Sequence, residues 1–230
     1  QSSQVEVWKE KRSRNDLYFQ PMKISYDIIV CNEIEEIKRL ISFLIKHKRK
    51  EDEIVVQQDE ITDIKGANKV QHYLNDCIFR GEIKFVSYAL NNHFANFKNN
   101  LIKHCSGDYI FQIDADEVPN KTLINHLPEV LELNDVEVLR VSRVNTVEGL
   151  TKEHIDKWGW IVSDGGKVNW PDPQWRIYKN DPKIRWKNKV HEVLDGYTTK
   201  ADLPYLEEWA LYHPKTIERQ VKQNNFYKTL

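Results

Sequence analysis

Tyr109-Ile110-Phe111-Gln112-Ile113-Asp114-Ala115-Asp116-Glu117 is the stretch whose reading decides the fold. An apolar, β-favouring run passes without a break into a cluster of acids, so a strand buried on both faces ends in a charged turn. Three more such runs precede it, at Tyr26 to Cys31, Glu53 to Val56 and Ile83 to Val86. Helical patterns lie between them. Ile34, Ile37, Ile41, Leu44 and Ile45 recur at helical spacing, with Asn32 as the expected N-cap and Glu33, Glu35 and Glu36 in the first turn. Val70 to Phe79 reads as a second helix closed by Gly81, and Phe94, Phe97, Leu101 and Cys105 mark a third that stops at Gly107. After Pro119 come a helix from Leu123 to Leu133 and a strand from Val136 to Val144. Strands alternating with helices predict an α/β chain whose right-handed crossovers build a mostly parallel sheet.

Composition narrows what such a chain does. Thirty-four Lys+Arg against 35 Asp+Glu give a formal charge of −1, without the basic surplus that coating nucleic acid or an anionic membrane demands. A hydrophobic fraction of 40% with 25 aromatics is enough for a real core. Cys31, Cys77 and Cys105 are odd in number and widely spaced, which suits a reducing compartment. The polar N-terminus shows no signal peptide and no run approaches a membrane span, so the expected location is cytoplasmic. Residues 1–21 are read as a linker, a tag or the end of a neighbouring domain, and residues 22–230 as one domain. A first half, 22–117, precedes a second, 118–230. Residues 150–213 hold six of the seven Trp, and there the helical periodicity fades. The ending at Phe226 to Leu230 is helical in style, which leaves room for further chain or domains.

Asp114 and Asp116 follow a buried strand and therefore sit at the carboxyl edge of the sheet, where open α/β folds bind ligands. Two carboxylates one residue apart repel each other unless a cation lies between them. A hard oxygen site with few protein ligands suits Mn²⁺ or Mg²⁺ bridging phosphate oxygens.

Several stretches together resemble the family 2 glycosyltransferases with the GT-A fold. Ile28-Ile29-Val30-Cys31-Asn32-Glu33 is similar to the opening strand and nucleotide-binding turn, and Val55-Val56 followed by Thr62-Asp63 to the second strand and its loop. The usual Asp after that strand is replaced by Gln57, with Asp59 as its substitute. Phe94, Lys98-Asn99, Gly107-Asp108-Tyr109 and the strand through Glu117 complete the donor half. Trp170 to Lys179 and Lys189-Val190-His191-Glu192 resemble a finer subgroup, that of lipopolysaccharide-core and related sugar transferases. The resemblance implies a Rossmann-like GT-A fold with a nucleotide-sugar-binding half and a Trp-rich acceptor-side half. It implies a UDP-sugar donor held by Asn32, Glu33, Asp59, Asp63, Lys98, Asn99, Asp114 and Arg176, with Asp114 on the ribose and Asp116 on the metal.

Sugar transfer from such a donor fixes further expectations. The leaving diphosphate gains charge, which a divalent metal at Asp116 and Asp114 offsets. His191 is the candidate extra ligand if the C-terminal segment folds back, and Arg176 or Lys189 the candidate diphosphate partner. The acceptor hydroxyl must lose a proton, so an inverting enzyme wants a carboxylate base. Asp172, between two prolines, is the first choice and Glu117 the second. Trp158, Trp160, Trp170, Trp175 and Trp186 are candidate stacking faces, with Trp170 and Trp175 the acceptor-binding pair. The expected activity is metal-dependent, inverting transfer of a hexose to a glycan, lipid or protein hydroxyl. Two other classes compete. A nucleotidyltransferase needs a Gly-rich basic loop after the first strand, where this chain has Cys31-Asn32-Glu33. A non-catalytic carbohydrate-binding module has no use for Asp63, Asp114, Asp116 and His191 together.

Overall fold

The computed structural model describes residues 22–60 and 66–227. Residues 1–21, with Thr62 and Asp63, lie outside the described residues. The first half is strand and helix in strict alternation: β1 Ile24–Val30, α1 Ile34–His47, β2 Glu53–Asp59, α2 Ala67–Phe79, β3 Lys84–Tyr88, α3 Phe94–Ile102 and β4 Tyr109–Asp114. Then follow β5 Val118–Pro119, α4 Lys121–Leu133, β6 Val138–Glu148, α5 Lys152–Trp158 and β7 Lys167–Lys179. The chain closes with β8 Arg185–Lys187, β9 Val193–Asp195, β10 Lys200–Asp202, β11 Leu211–Thr216 and α6 Ile217–Tyr227.

Among the described residues, one sheet runs in the order β3-β2-β1-β4-β7-β6-β11-β5, with β10 added against β6. The β3-β2-β1-β4 part is parallel throughout, β7 is antiparallel to both β4 and β6, and β11 again runs parallel to β6. The expected α/β architecture with a mostly parallel sheet is therefore what the chain builds. β8 and β9 form a separate two-stranded ribbon.

Helices cover both faces. Ile24, Tyr26 and Ile28 of β1 are fully buried against Ile37, Leu40, Ile41 and Leu44 of α1, in a core shared with Val70 and Leu74 of α2 and Leu123 and Leu127 of α4. Each such side chain withdraws enough apolar surface to contribute about 1.5–3 kcal/mol. On the opposite face Leu101 of α3 packs on Val55 and Val86. Gly107 is demanded by the crossing into β4, because a Cβ there would lie 2.6 Å from the Ser25 nitrogen and 2.9 Å from the Lys23 oxygen.

Two local expectations are corrected. The N-cap of α1 is Glu33, not Asn32, and its Oε2 accepts hydrogen bonds from the nitrogens of Cys31 at 2.8 Å and Asn32 at 3.0 Å. The longer side chain folds back on the strand-to-helix turn and holds it. The second strand also runs on through Asp59, which pairs in register with Tyr88 while its Oδ1 accepts from the Leu90 nitrogen at 2.9 Å. Gln57 is consequently a strand residue, buried, bonded to the Phe97 carbonyl and the Asn100 amide. Among the described residues no helix is long and apolar enough to cross a membrane.

Candidate active site

The carboxyl ends of β1 and β4 lie side by side, with Ile29 in register with Asp114 and the Ala115 nitrogen bonded to the Ile29 carbonyl. The chain then turns tightly, Glu117 N reaching back to Asp114 O at 2.9 Å. Behind this turn stands Arg176 of β7, only 3% exposed. Its guanidinium donates to Asp114 Oδ2 at 2.8 Å, to Glu117 Oε1 and to Gln112 Oε1. Glu117 is fully buried, and its Oε2 accepts from the Asp114 nitrogen at 3.1 Å. Burial alone would push Asp114 up; Arg176, Lys98 and the Gln112 amide outweigh it and hold the carboxyl well below the usual range. Asp114 is thus a fixed anion.

Asp116 belongs to a second network. His213 of β11 points Nε2 at Asp116 Oδ2, 3.3 Å away, and Nδ1 at Asn145 Oδ1, 2.7 Å away. The Asn145 amide nitrogen donates to Asp172 Oδ2 at 2.9 Å. A carboxylate only accepts, so this bond fixes the Asn145 amide with its oxygen toward His213, and His213 must carry its hydrogen on Nδ1. In the neutral ring Nε2 then offers a lone pair beside the Asp116 carboxylate. Two lone-pair donors facing each other need a cation beside them, and the Arg219 guanidinium stands 3.4 Å from the same Asp116 oxygen, Oδ2. Burial raises Asp116, but His213 and Lys215 more than offset it and keep it ionised.

Asp172 ends the chain of bonds. Arg143 Nε and NH2 reach its Oδ2 at 2.9 and 2.8 Å, and the Gln174 amide reaches Oδ1 at 2.6 Å. Burial would raise it, yet Arg143, Asn145 and Gln174 hold it below the ordinary carboxylate value.

The rim is built by α6. Arg219 sits 3.4 Å from Asp116 and 3.6 Å from Glu33, and also pairs with Glu36. Lys98, buried, pairs with Glu192 at 3.0 Å and lies 4.3 Å over the Trp186 ring. Below it Asp27 of β1 is fully buried with neither oxygen hydrogen-bonded, and burial pushes its carboxyl up to about 8.

The other residues expected at the site stand in a variety of contacts. Glu117, the second choice for the base, is fully buried beneath the turn, with Oε1 on Arg176 and Oε2 on the Asp114 nitrogen. Arg176, a candidate diphosphate partner, pairs with Asp114 and Glu117. Asn99 exchanges both amide bonds with the Trp186 backbone, at 2.8 and 2.9 Å, and so anchors β8. His191 is exposed on the β8–β9 turn at φ +53°, and the imidazole beside Asp116 is that of His213. Lys189 is exposed on the same turn. Trp186 is core, packed edge-on against Tyr178, whereas Trp170 and Trp175 are half-buried, with Lys167 above the former and Arg140 above the latter. Reasoning from sequence missed His213, Asn145, Arg143 and Arg219. A histidine on a short apolar strand and an arginine in a terminal helix carry no local signal; the parallel pairing of β11 with β6 creates their roles.

Among the described residues no three His, Cys, Asp or Glu side chains stand together as a closed metal cage. Asp116 and His213 are the residues that could hold a divalent ion, as an open two-ligand site.

The chain is similar to several known proteins. The glycosyltransferase SunS of Bacillus subtilis (strain 168) is 23% identical over 191 residues, covering 83% of this chain and 39% of the relative, and SunS of Bacillus phage SPbeta matches equally. The chain thus spans about two fifths of the length of these curated relatives. Among solved structures, S. aureus TarS 1–349 shares the fold at a TM-score of 0.58 with 16% identity, over 84% of this chain and 60% of that one. Its complex with UDP-GlcNAc gives a TM-score of 0.56 with 18% identity, over 84% and 59%. The sequence matches the Glycosyl transferase family 2 profile over residues 27–199, and with the carboxyl-edge acids in place the chain belongs to that family.

Proposed function

We propose that this domain moves a hexose from a UDP-sugar to an acceptor hydroxyl, with inversion and with Mn²⁺ or Mg²⁺ bound at Asp116 and His213. The observation that carries the reading is the contiguous series of contacts from Asp116 to His213, Asn145 and Asp172 at the carboxyl edge of the parallel sheet. It sets a cation site and a carboxylate on one rigid frame. UDP is favoured as the nucleotide because the similar TarS structure holds UDP-GlcNAc. The PDPQ stretch on β7 and Glu192 on Lys98 support the finer resemblance to core-type sugar transferases.

In this reading the fixed anion Asp114 meets the ribose hydroxyls, and Asn32, Glu33, Asp59, Lys98 and the undescribed Asp63 surround the nucleotide. The metal, when bound, supplies positive charge to the leaving diphosphate. Asp172 takes the acceptor proton. Its lowered pKa makes it a weak base, so the proton moves late, once the new bond to the sugar carbon has made the attacking oxygen acidic. The C1–phosphate bond breaks as the acceptor–C1 bond forms on the opposite face, and UDP leaves.

Release of UDP from UDP-GlcNAc, and from other UDP-hexoses, tests the proposal with Mn²⁺ and with EDTA. Metal-dependent release and an inverted anomer by NMR are expected. Release unaffected by EDTA sinks the metal assignment, and a retained anomer sinks the role of Asp172.

A further inference from the structure

A helix of a globular domain ordinarily buries an apolar stripe. α6 does not. None of its described residues is buried, and Val221 and Phe226 are 38% and 41% exposed. Its half-buried side chains past Ile217 are polar, Arg219, Gln220, Gln223 and Asn224, at the spacing of one helical face. The grip of that face on the domain is a single guanidinium.

Arg219 NH1 pairs with Glu36, while NH2 is shared between Glu33 Oε1 at 3.6 Å and Asp116 Oδ2 at 3.4 Å. Glu33 is itself a bridge, because its Oε2 accepts from the nitrogens of Cys31 and Asn32. One cation therefore ties Asp116, beyond the end of β4, to the turn after β1 and to the first turn of α1. A divalent ion wants the same Asp116 oxygen. An ion lies about 2 Å from a carboxylate oxygen that it binds, so ion and guanidinium on Oδ2 would repel each other across less than about 6 Å. Of the three contacts of Arg219, the one to Asp116 is the one it can give up. NH1 stays on Glu36 and NH2 moves onto Glu33, so the guanidinium keeps two counter-charges.

We propose that Arg219 is a positioning residue that couples the charge at Asp116 to the Cys31–Glu33 turn: a divalent ion at Asp116 drives the guanidinium off Oδ2 and onto Glu33 and Glu36, and α6 loosens with it. The proposal rests on the metal assignment of the transferase reading and adds a residue that competes with the ion. The two events are linked with opposite sign. Arg219 on Asp116 weakens the ion by the factor by which the ion weakens the hold of α6.

The test uses the full chain. Mn²⁺ is titrated without nucleotide by electron paramagnetic resonance of the free ion, and amide exchange is followed in α6. R219Q is expected to bind Mn²⁺ at least fivefold more tightly than wild type, and R219K, which keeps the charge, to stay within threefold of wild type. K222A removes a charge from the exposed face of the same helix and is expected to stay within twofold. E36Q removes the anchor but keeps the guanidinium, which then leans on Asp116. It is expected to weaken Mn²⁺ at least twofold, opposite to what a mere loosening of α6 would give. Saturating Mn²⁺ is expected to speed α6 exchange in wild type and to leave R219Q unchanged. Equal Mn²⁺ affinity in wild type and R219Q, absence of binding by both included, overturns the coupling. So does an equal gain in K222A, or slower α6 exchange in Mn²⁺. Titration of UDP in Mn²⁺ on the same samples separates the two readings. Wild type that binds UDP but fails these tests loses the coupling only; wild type that binds no UDP loses the transferase reading with it.

Discussion

Replacing Arg176 by Met tests the electrostatic frame beneath the DAD turn. The guanidinium is 3% exposed and holds Asp114 and Glu117 together, so its loss leaves two carboxylates facing each other with only the weaker counter-charges of Lys98 and of Arg143, 3.6 Å from Glu117. Removing one partner of a buried ion pair costs about 3–5 kcal/mol, and Met fills the volume without restoring the charge. The pH dependence has a definite sign. In the wild type the folded pKa of Asp114 is depressed, so its contribution is present above the unfolded value near 4 and is lost as pH falls below it. Without Arg176 burial pushes that folded pKa up instead, and the variant's penalty grows as pH rises above about 4. Urea unfolding of both proteins at pH 5 and pH 8 is expected to show a loss of about 3–5 kcal/mol at pH 8 and a smaller gap at pH 5. Adding Glu117→Gln should recover part of it. A loss under about 1 kcal/mol, the surface-pair range, or a gap identical at both pH values, refutes the reasoning.

Further outcomes follow from the same geometry. Asp27, raised to about 8 by burial, binds a proton in the folded state well above the unfolded value near 4. Wild type therefore loses stability as pH rises from about 4 to 8, and Asp27→Asn, which cannot ionise, gains on it by up to about 1.4 kcal/mol per pH unit; parallel pH profiles would contradict this. Gly107→Ala places a Cβ 2.6 Å from the Ser25 nitrogen, and thermal unfolding should fall by the equivalent of about 2 kcal/mol or more. Asp172→Asn should lower turnover by about 100-fold or more, with UDP affinity within threefold; an unchanged rate moves the proton acceptor elsewhere.

Much of the donor half was legible because its signals are local. Continuous apolar strands, helical spacing in Ile34 to Ile45 and the acids after Ile113 each announce themselves within ten residues or so. The second half of the chain was less so, because its contacts are assembled across the sheet. Asn145, Asp172 and His213 come from three strands whose pairing no periodicity reveals. Arg176 was legible as functional, but not its target. Only the β4–β7 pairing shows it beneath Asp114. The Trp-rich segment divided by burial in the same way: Trp186 went to the core, while Trp158 and Trp160 stayed on the surface.

Calorimetric titration of UDP into wild type and Asp116→Ala, with Mn²⁺ and with EDTA, tests the central claim most directly. The account predicts binding by wild type in Mn²⁺, at least tenfold weaker binding in EDTA, and the same loss for Asp116→Ala whether or not metal is present. Failure of UDP to bind wild type, or equal affinity in all four titrations, would contradict it.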